Sequence, residues 1–270
     1  MKVSIIGLGW LGLDLAHHLN RLSYSVCGST TSGNKIKNVK STDIKEYRLF
    51  VSKKSELEYS SESIFQADTI IITLPFKRSF KPSDIYYNQL NLIANEIKKH
   101  SPKAQVIFTS STSIYPKYEP IVDENFPLKN LDERQTTLLN VEKLIQNTFK
   151  NSVILRLGGL FGGNRKIGMF MSNKESLDYA NSPVNLIHRK DVIRIIELII
   201  RKQLNSGLFN CTCNHHPSKE ELYEHHSKLL NVIPPKFISK DIKTKKVLSN
   251  NLKTILNYTF ICNNLFLSYD

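Results

Sequence analysis

The chain has 270 residues, 40% of them hydrophobic and 23% charged, with a formal charge of +13. That mix suits a folded protein with one substantial core and a small added lobe, and it excludes a disordered chain. No apolar run approaches the ~18 residues of a membrane-spanning helix, and no short repeat recurs. The first residues are interrupted by glycines and soon reach Asp14, His17 and His18, so they do not read as a signal peptide. A cytoplasmic protein without a membrane partner is expected.

In chain order, Lys2–Ile6 predicts a strand and Trp10–Leu22 a helix that opens on glycines. Tyr24–Gly28 reads as a second strand. Asp68–Leu74 is almost wholly apolar, as a central strand covered on both faces should be, and Pro75 stops it. Ser83 is placed to cap a helix carrying Tyr86, Leu90, Ile93 and Ile97 at helical spacing. Strands follow at Gln105–Thr109 and Val153–Leu157, around a helix from Glu133 to Phe149. Val184–Ile187 predicts a short strand leading into a helix through Val192, Ile195, Ile196 and Ile199. Asp191 falls in that helix's first turn, where a carboxylate complements the helix dipole. Ser218 to Glu221 has the form of a capping box. Strands alternating with helices predict a doubly wound α/β fold of Rossmann type, with a mainly parallel sheet. Residues 1–160 are expected to form the nucleotide-binding domain. Residues 161–270 would hold the remaining sheet elements and a small C-terminal substrate lobe, with 181–202 packing back on the core.

Positive charge is dispersed in small groups such as Lys35/Lys37/Lys40, Lys98/Lys99 and Lys243/Lys245/Lys246, without interleaved aromatics, so no nucleic-acid partner is expected. Cys27, Cys211, Cys213 and Cys262 lack paired spacing. Cys211 and Cys213 precede His215 and His216, but alternate residues of a strand point to opposite faces, whereas zinc needs converging ligands. Reduced cysteines beside a surface loop, and no metal, are the expectation.

Gly7-Leu8-Gly9-Trp10-Leu11-Gly12 follows a strand and opens a helix, the context in which G-x-G-x-x-G has physical meaning. Gly7 permits the tight turn, Gly9 the approach of a diphosphate, and Gly12 close packing of helix on strand. Backbone N–H groups of Trp10 and Leu11 would face the phosphates at the helix's positive end. An acidic residue ~20 positions on usually holds the ribose of NAD, yet none occurs between Asp14 and Asp43. Ser29, Thr30 and Lys35 stand there instead and suit a 2′-phosphate. NADP is therefore the preferred cofactor, with NAD the alternative.

Three further stretches join this turn: Phe108–Tyr115 (FTSSTSIY), Arg156–Gly163 (RLGGLFGG) and Val184–Asp191 (VNLIHRKD). Together they resemble the extended short-chain dehydrogenase/reductase superfamily, in its NAD-dependent epimerase/dehydratase branch. With Ile72–Pro75 they look closer still to an atypical bacterial group within it. The resemblance implies a seven-stranded sheet, a small-molecule substrate and pairing into a homodimer. It places Leu74, Pro75 and Ser110 beside the cofactor, and Ser111 at the residue that orients a substrate hydroxyl or carbonyl. Thr112, Ser113, Arg165, Asn185 and His188 would line the substrate. The family's Tyr-x-x-x-Lys pair is missing: aligning Glu142 puts Arg134 at the tyrosine position and Leu138 at the lysine position. Tyr115 is the substitute acid/base candidate, against the alternative of a packing tyrosine, and Arg134 is a candidate clamp for an anionic substrate. Two functional expectations follow. One is an NAD(P)-dependent oxidoreductase or epimerase/dehydratase-like enzyme acting on a small polar or sugar-nucleotide substrate. The other is a cofactor-binding regulatory or scaffold protein without turnover.

Overall fold

The computed structural model describes residues 1–31, 44–51, 56–76, 84–242 and 245–269. Ser83 and Lys35 lie outside the described residues. The elements run β1 (Lys2–Ile6), α1 (Trp10–Arg21), β2 (Ser25–Thr30), β3 (Lys45–Val51), β4 (Leu57–Tyr59), β5 (Thr69–Ile72), α2 (Asp84–His100), β6 (Gln105–Ser111) and β7 (Ile121–Val122). They continue with α3 (Glu133–Thr148), β8 (Ser152–Leu157), β9 (Gly159–Phe161), β10 (Leu186–His188), α4 (Arg189–Arg201), β11 (Ser206–Cys211), α5 (Lys219–Leu229), β12 (Lys246–Val247) and α6 (Asn250–Thr254). None of the described helices is long and apolar enough to cross a membrane.

One sheet has eight strands in the order β11-β8-β6-β5-β1-β2-β3-β4. β1 runs parallel to both β2 and β5, β2 parallel to β3, and β5 parallel to β6. Chain order therefore reverses direction at β1, which creates the crevice where open parallel sheets bind ligands. The sheet exceeds the expected seven strands because Leu57–Tyr59 adds a short antiparallel edge to β3.

The chain divides into two compact units, the first comprising 1–114, 132–155 and 196–208, the second 115–131, 156–195 and 209–270. In the first, Ile6, Ile70, Ile72, Val106 and Phe108 share one sheet face by period-two alternation and pack with Tyr86, Leu90, Ile93 and Ile97 of α2. Val141, Ile145 and Phe149 close the same core from the α3 side. Helix α3 starts on a reciprocal cap: Asp132 accepts from the Gln135 N–H at 2.8 Å, and Gln135 accepts from the Asp132 N–H at 2.8 Å. The opposite sheet face meets Leu11, Leu15, Ala16 and Leu19, the buried side of α1.

The second unit has its own core around Phe161, Ile167, Val184, Leu186, Leu222 and Leu265. Two small parallel pairs, β9 with β10 and β7 with β12, frame it. Helix α5 begins on the expected capping box of Ser218 and Glu221. The cysteines correct one expectation. All four are free, yet all are buried rather than beside a surface loop. Burial pushes the Cys213 and Cys262 thiols up to about 12 and raises Cys27 and Cys211 as well.

Burial also holds His188, His216 and His226 of this unit below the usual imidazole range. The unfolded chain then takes up protons more readily than the folded one. Stability from these groups is complete above the ordinary imidazole value of about 6.5 and is lost as pH falls from there toward the depressed folded values. Glu124, whose carboxyl burial pushes up, works in the opposite direction as it takes a proton. Urea unfolding of the Glu124→Gln protein at pH 7.5, 6.5 and 5.5 should show a falling midpoint; a flat profile contradicts three buried neutral imidazoles.

Candidate dinucleotide-binding site

Gly7 leaves β1 with φ +112, a left-handed backbone that side chains strain to adopt. A Cβ there would also lie 2.9 Å from the Thr73 hydroxyl. One at Gly12 would collide with the Gly7 carbonyl oxygen, whereas one at Gly9 would meet nothing within 4 Å. The outer two glycines thus close the turn, and the middle one leaves its outer side open. The turn is tied on both flanks. Leu8 N–H donates to the Ser29 carbonyl at 2.7 Å, Gly7 N–H to the Ser29 hydroxyl at 3.2 Å, and the Thr73 hydroxyl to the Gly7 carbonyl at 2.7 Å. Gly9 is the N-cap of α1; no side chain caps this end and no acidic residue occupies its first turn. The positive end of α1 is therefore left for an anion.

A cavity of about 250 Å³ lies against this turn, walled by Gly7, Leu8, Gly9, Ser29, Thr30, Thr31, Thr73, Leu74 and Pro75. Leu49 and Phe50 of β3, Leu57 of β4, and Gln89 and Ile93 of α2 complete it. Polar groups gather at the turn and apolar ones at the sheet edge, which matches the charged and aromatic portions of a dinucleotide. The sequence reading missed Thr73, Leu49, Phe50 and Leu57. A polar residue between a buried strand and proline was the one available signal, at Thr73.

Other expected residues stand elsewhere in this unit. Ser110 is buried and its hydroxyl donates to Glu142 at 2.5 Å, so it faces α3 rather than the cavity. Ser111, half-buried at the end of β6, accepts from the Ser113 N–H at 3.1 Å; Thr112 is buried and Ser113 exposed. Leu138 is buried on α3, confirming that the lysine position of the family pair is an apolar packing site. Arg134 donates to the Phe76 carbonyl at 2.8 Å and lies 4.2 Å from the centre of the Phe76 ring. Phe76 stacks on Tyr86 at 4.6 Å, and the Tyr86 hydroxyl donates to the Leu74 carbonyl at 2.9 Å. Arg134 therefore braces the segment that supplies Leu74 and Pro75 to the cavity.

Tyr115 belongs to the second unit and is fully buried. Its hydroxyl donates to the Asn210 side chain at 2.8 Å and accepts from Arg156 at 2.8 Å, while burial raises its pKa. A presented acid/base needs an accessible oxygen with spare bonding capacity, and Tyr115 is instead a post inside this unit. Tyr115→Phe should cost about 1–3 kcal/mol, because it leaves Arg156 and Asn210 each short of a buried partner. Chemical denaturation reads this directly; an unchanged midpoint contradicts the bonding described.

In the same unit, Asn185 is committed to structure: its amide donates to the Lys245 carbonyl at 2.7 Å and accepts from Val247 N–H at 2.8 Å, pinning β12. His188 is buried, accepts from the Lys190 N–H at 3.1 Å, and packs edge-on to Phe161. Arg165 and Lys166 are exposed and line a separate cavity of about 160 Å³ with Gly162, Gly163, Leu229 and Tyr269. His188, Asp191 and Cys262 each place a potential metal-ligand atom within 4.8 Å of the others. The Asp191 carboxylate, however, accepts from the Tyr258 hydroxyl at 2.7 Å, Ile261 N–H at 2.8 Å and Cys262 N–H at 3.1 Å. With Cys262 held as a thiol, the cluster is arranged as an anchor for the C-terminal segment.

A doubly wound sheet with an open glycine turn at its crevice defines a Rossmann-type nucleotide-binding protein. Residues 1–142 match the profile of the UDP-glucose/GDP-mannose dehydrogenase family, NAD binding domain. Protein YeeZ of Escherichia coli (strain K12) is 32% identical over 274 residues, spanning 99% of this chain and 95% of YeeZ. The chain belongs to the same family as YeeZ, and its first half to the UDP-glucose/GDP-mannose dehydrogenase family's NAD binding domain. Among solved structures, UDP-glucuronic acid 4-epimerase from Bacillus cereus in complex with NAD has a TM-score of 0.78 at 18% identity, covering 98% of this chain and 95% of that one. MoeE5 in complex with UDP-glucose and NAD has a TM-score of 0.74 at 16% identity, covering 96% and 93%. These two likenesses concern the fold.

Proposed function

We propose that the protein is an NAD(P)-dependent oxidoreductase or epimerase-like enzyme of the cytoplasm, acting on a sugar-nucleotide or similar small polar substrate, with NADP preferred over NAD. The observation that carries this reading is the glycine turn, closed at Gly7 and Gly12, open at Gly9, and followed by a helix end without a side-chain cap. Bound there, the nicotinamide would supply hydride transfer. Backbone N–H groups of Trp10 and Leu11 would hold the diphosphate, and Leu74 and Pro75 would wall the cofactor. Ser111 orients the substrate oxygen, with Thr112 and Ser113 shaping its surroundings. With Tyr115 sealed, Ser111 is the hydroxyl proposed to pass a proton between that oxygen and water. Arg165 and Lys166 would bind a phosphate in the separate cavity they line within the second unit. The fold shared with an epimerase holding NAD and with a protein holding UDP-glucose and NAD supports this choice of substrate. Family analogy further suggests a homodimer, which sedimentation would read.

The second reading is a cofactor-binding protein without turnover. It is favoured by the buried Leu138 at the lysine position and the sealed Tyr115. Titration with NADPH and NADH, followed by assays of reduction and of 4-epimerisation on UDP-glucose, UDP-galactose and UDP-glucuronic acid, separates the two. Turnover of any of these supports the enzyme. Saturable binding with none favours the second reading, and no binding of either dinucleotide removes both.

A further inference from the structure

The cofactor reading above leaves open which group distinguishes NADP from NAD, and the third strand supplies one. Arg48 on β3 is the Cα partner of Thr30, the last residue of β2. In a parallel pair the two side chains leave the same sheet face, so Arg48 stands beside the end of β2 where a dinucleotide's adenosine ribose is held. Phe50, two residues on and on the same face, lines the cavity that the glycine turn also lines. The Arg48 guanidinium lies 4.7 Å from the centre of the Phe50 ring, so it is carried to the rim of that cavity. Arg48 is exposed, and no carboxylate among the described residues lies within ion-pair distance of it. Thr31, exposed at the same strand end, adds a hydroxyl. Glu46 shares the face two residues back, beside Gly28 rather than at the strand end where Arg48 and Thr30 pair.

We infer that Arg48 is the specificity-determining residue for the cofactor, its guanidinium binding the 2′-phosphate of NADP while Phe50 offers a face to the adenine. A planar, always charged fork suits a phosphate with several acceptor oxygens, and NADH offers it no such group. The inference rests on the dinucleotide reading and deepens it.

The test is binding by the intact protein and by Arg48→Ala, followed through the emission of the sole tryptophan, Trp10, and of the reduced nicotinamide. The parent should bind NADPH at least about tenfold more tightly than NADH. Arg48→Ala should weaken NADPH by about 10- to 100-fold and leave NADH within about twofold, which also controls for folding. Calorimetry with 2′,5′-ADP and 5′-ADP should show the same split without the nicotinamide. A parent that prefers NADPH with a ratio unmoved by Arg48→Ala overturns the role of Arg48 and leaves the cofactor reading intact. A parent that prefers NADH overturns it too. If neither dinucleotide binds, the functional proposal itself is lost.

Discussion

Gly9→Val should unfold at the same urea concentration as the parent and lose at least about 100-fold in dinucleotide affinity. The first half follows from the open space around Gly9, where an added Cβ meets nothing within 4 Å. The second follows because two methyl groups would occupy the approach of the diphosphate. Losing two charge-assisted backbone bonds costs about 3 kcal/mol, or roughly two decades in affinity. Gly12→Ala should give the opposite pattern. Its Cβ runs into the Gly7 carbonyl, a backbone atom that Thr73 also holds, so the loss appears as about 3 kcal/mol of stability. Urea titrations paired with NADPH titrations read both variants. Normal NADPH binding by Gly9→Val removes the turn from the cofactor site.

Asp191→Ala should release the C-terminal segment. The carboxylate is fully buried and accepts from the Tyr258 hydroxyl and from two backbone N–H groups, at Ile261 and Cys262. Removing it takes the carboxylate acceptor from three donors at once, the buried Cys262 N–H among them, and about 3 kcal/mol of stability should go with it. Limited proteolysis should then cut within 256–269 in native buffer, where the parent resists. Asp191→Asn keeps one acceptor oxygen but turns amide hydrogens toward N–H groups, so it should fall between the two. Equal protease resistance in all three proteins is inconsistent with the anchoring role.

What was legible in the sequence was local. The glycine turn works through residues within six positions of one another, and its strand and helix flanks follow short periodic patterns. Helices α2 and α3 were found from their apolar stripes, and the capping box at Ser218 from four adjacent residues. The unread parts depend on distant partners. Tyr115 stayed open between an acid/base and a packing tyrosine because Arg156 and Asn210, which seal it, lie 41 and 95 positions away. Asn185 and Asp191 are bonded to groups 60 to 71 positions along the chain. Strand β3 was missed because Lys45, Glu46 and Arg48 give it the composition of a loop. It is held by main-chain pairing to β2 on one side and β4 on the other, which does not depend on an apolar pattern of side chains. The cysteines misled for a related reason. A strand's alternation sends side chains to two faces, but here both are covered, so opposite directions did not mean exposure.

The burial of every thiol gives the protein an internal clock. Cys27 sits in the first unit and Cys211, Cys213 and Cys262 in the second, all closed to water. An alkylating reagent can mark each only during the moments when its surroundings open. Mass-resolved labelling over time therefore times the breathing of each unit separately, with no engineered tag. A cofactor seated against the first unit should slow the marking of Cys27 ahead of the other three.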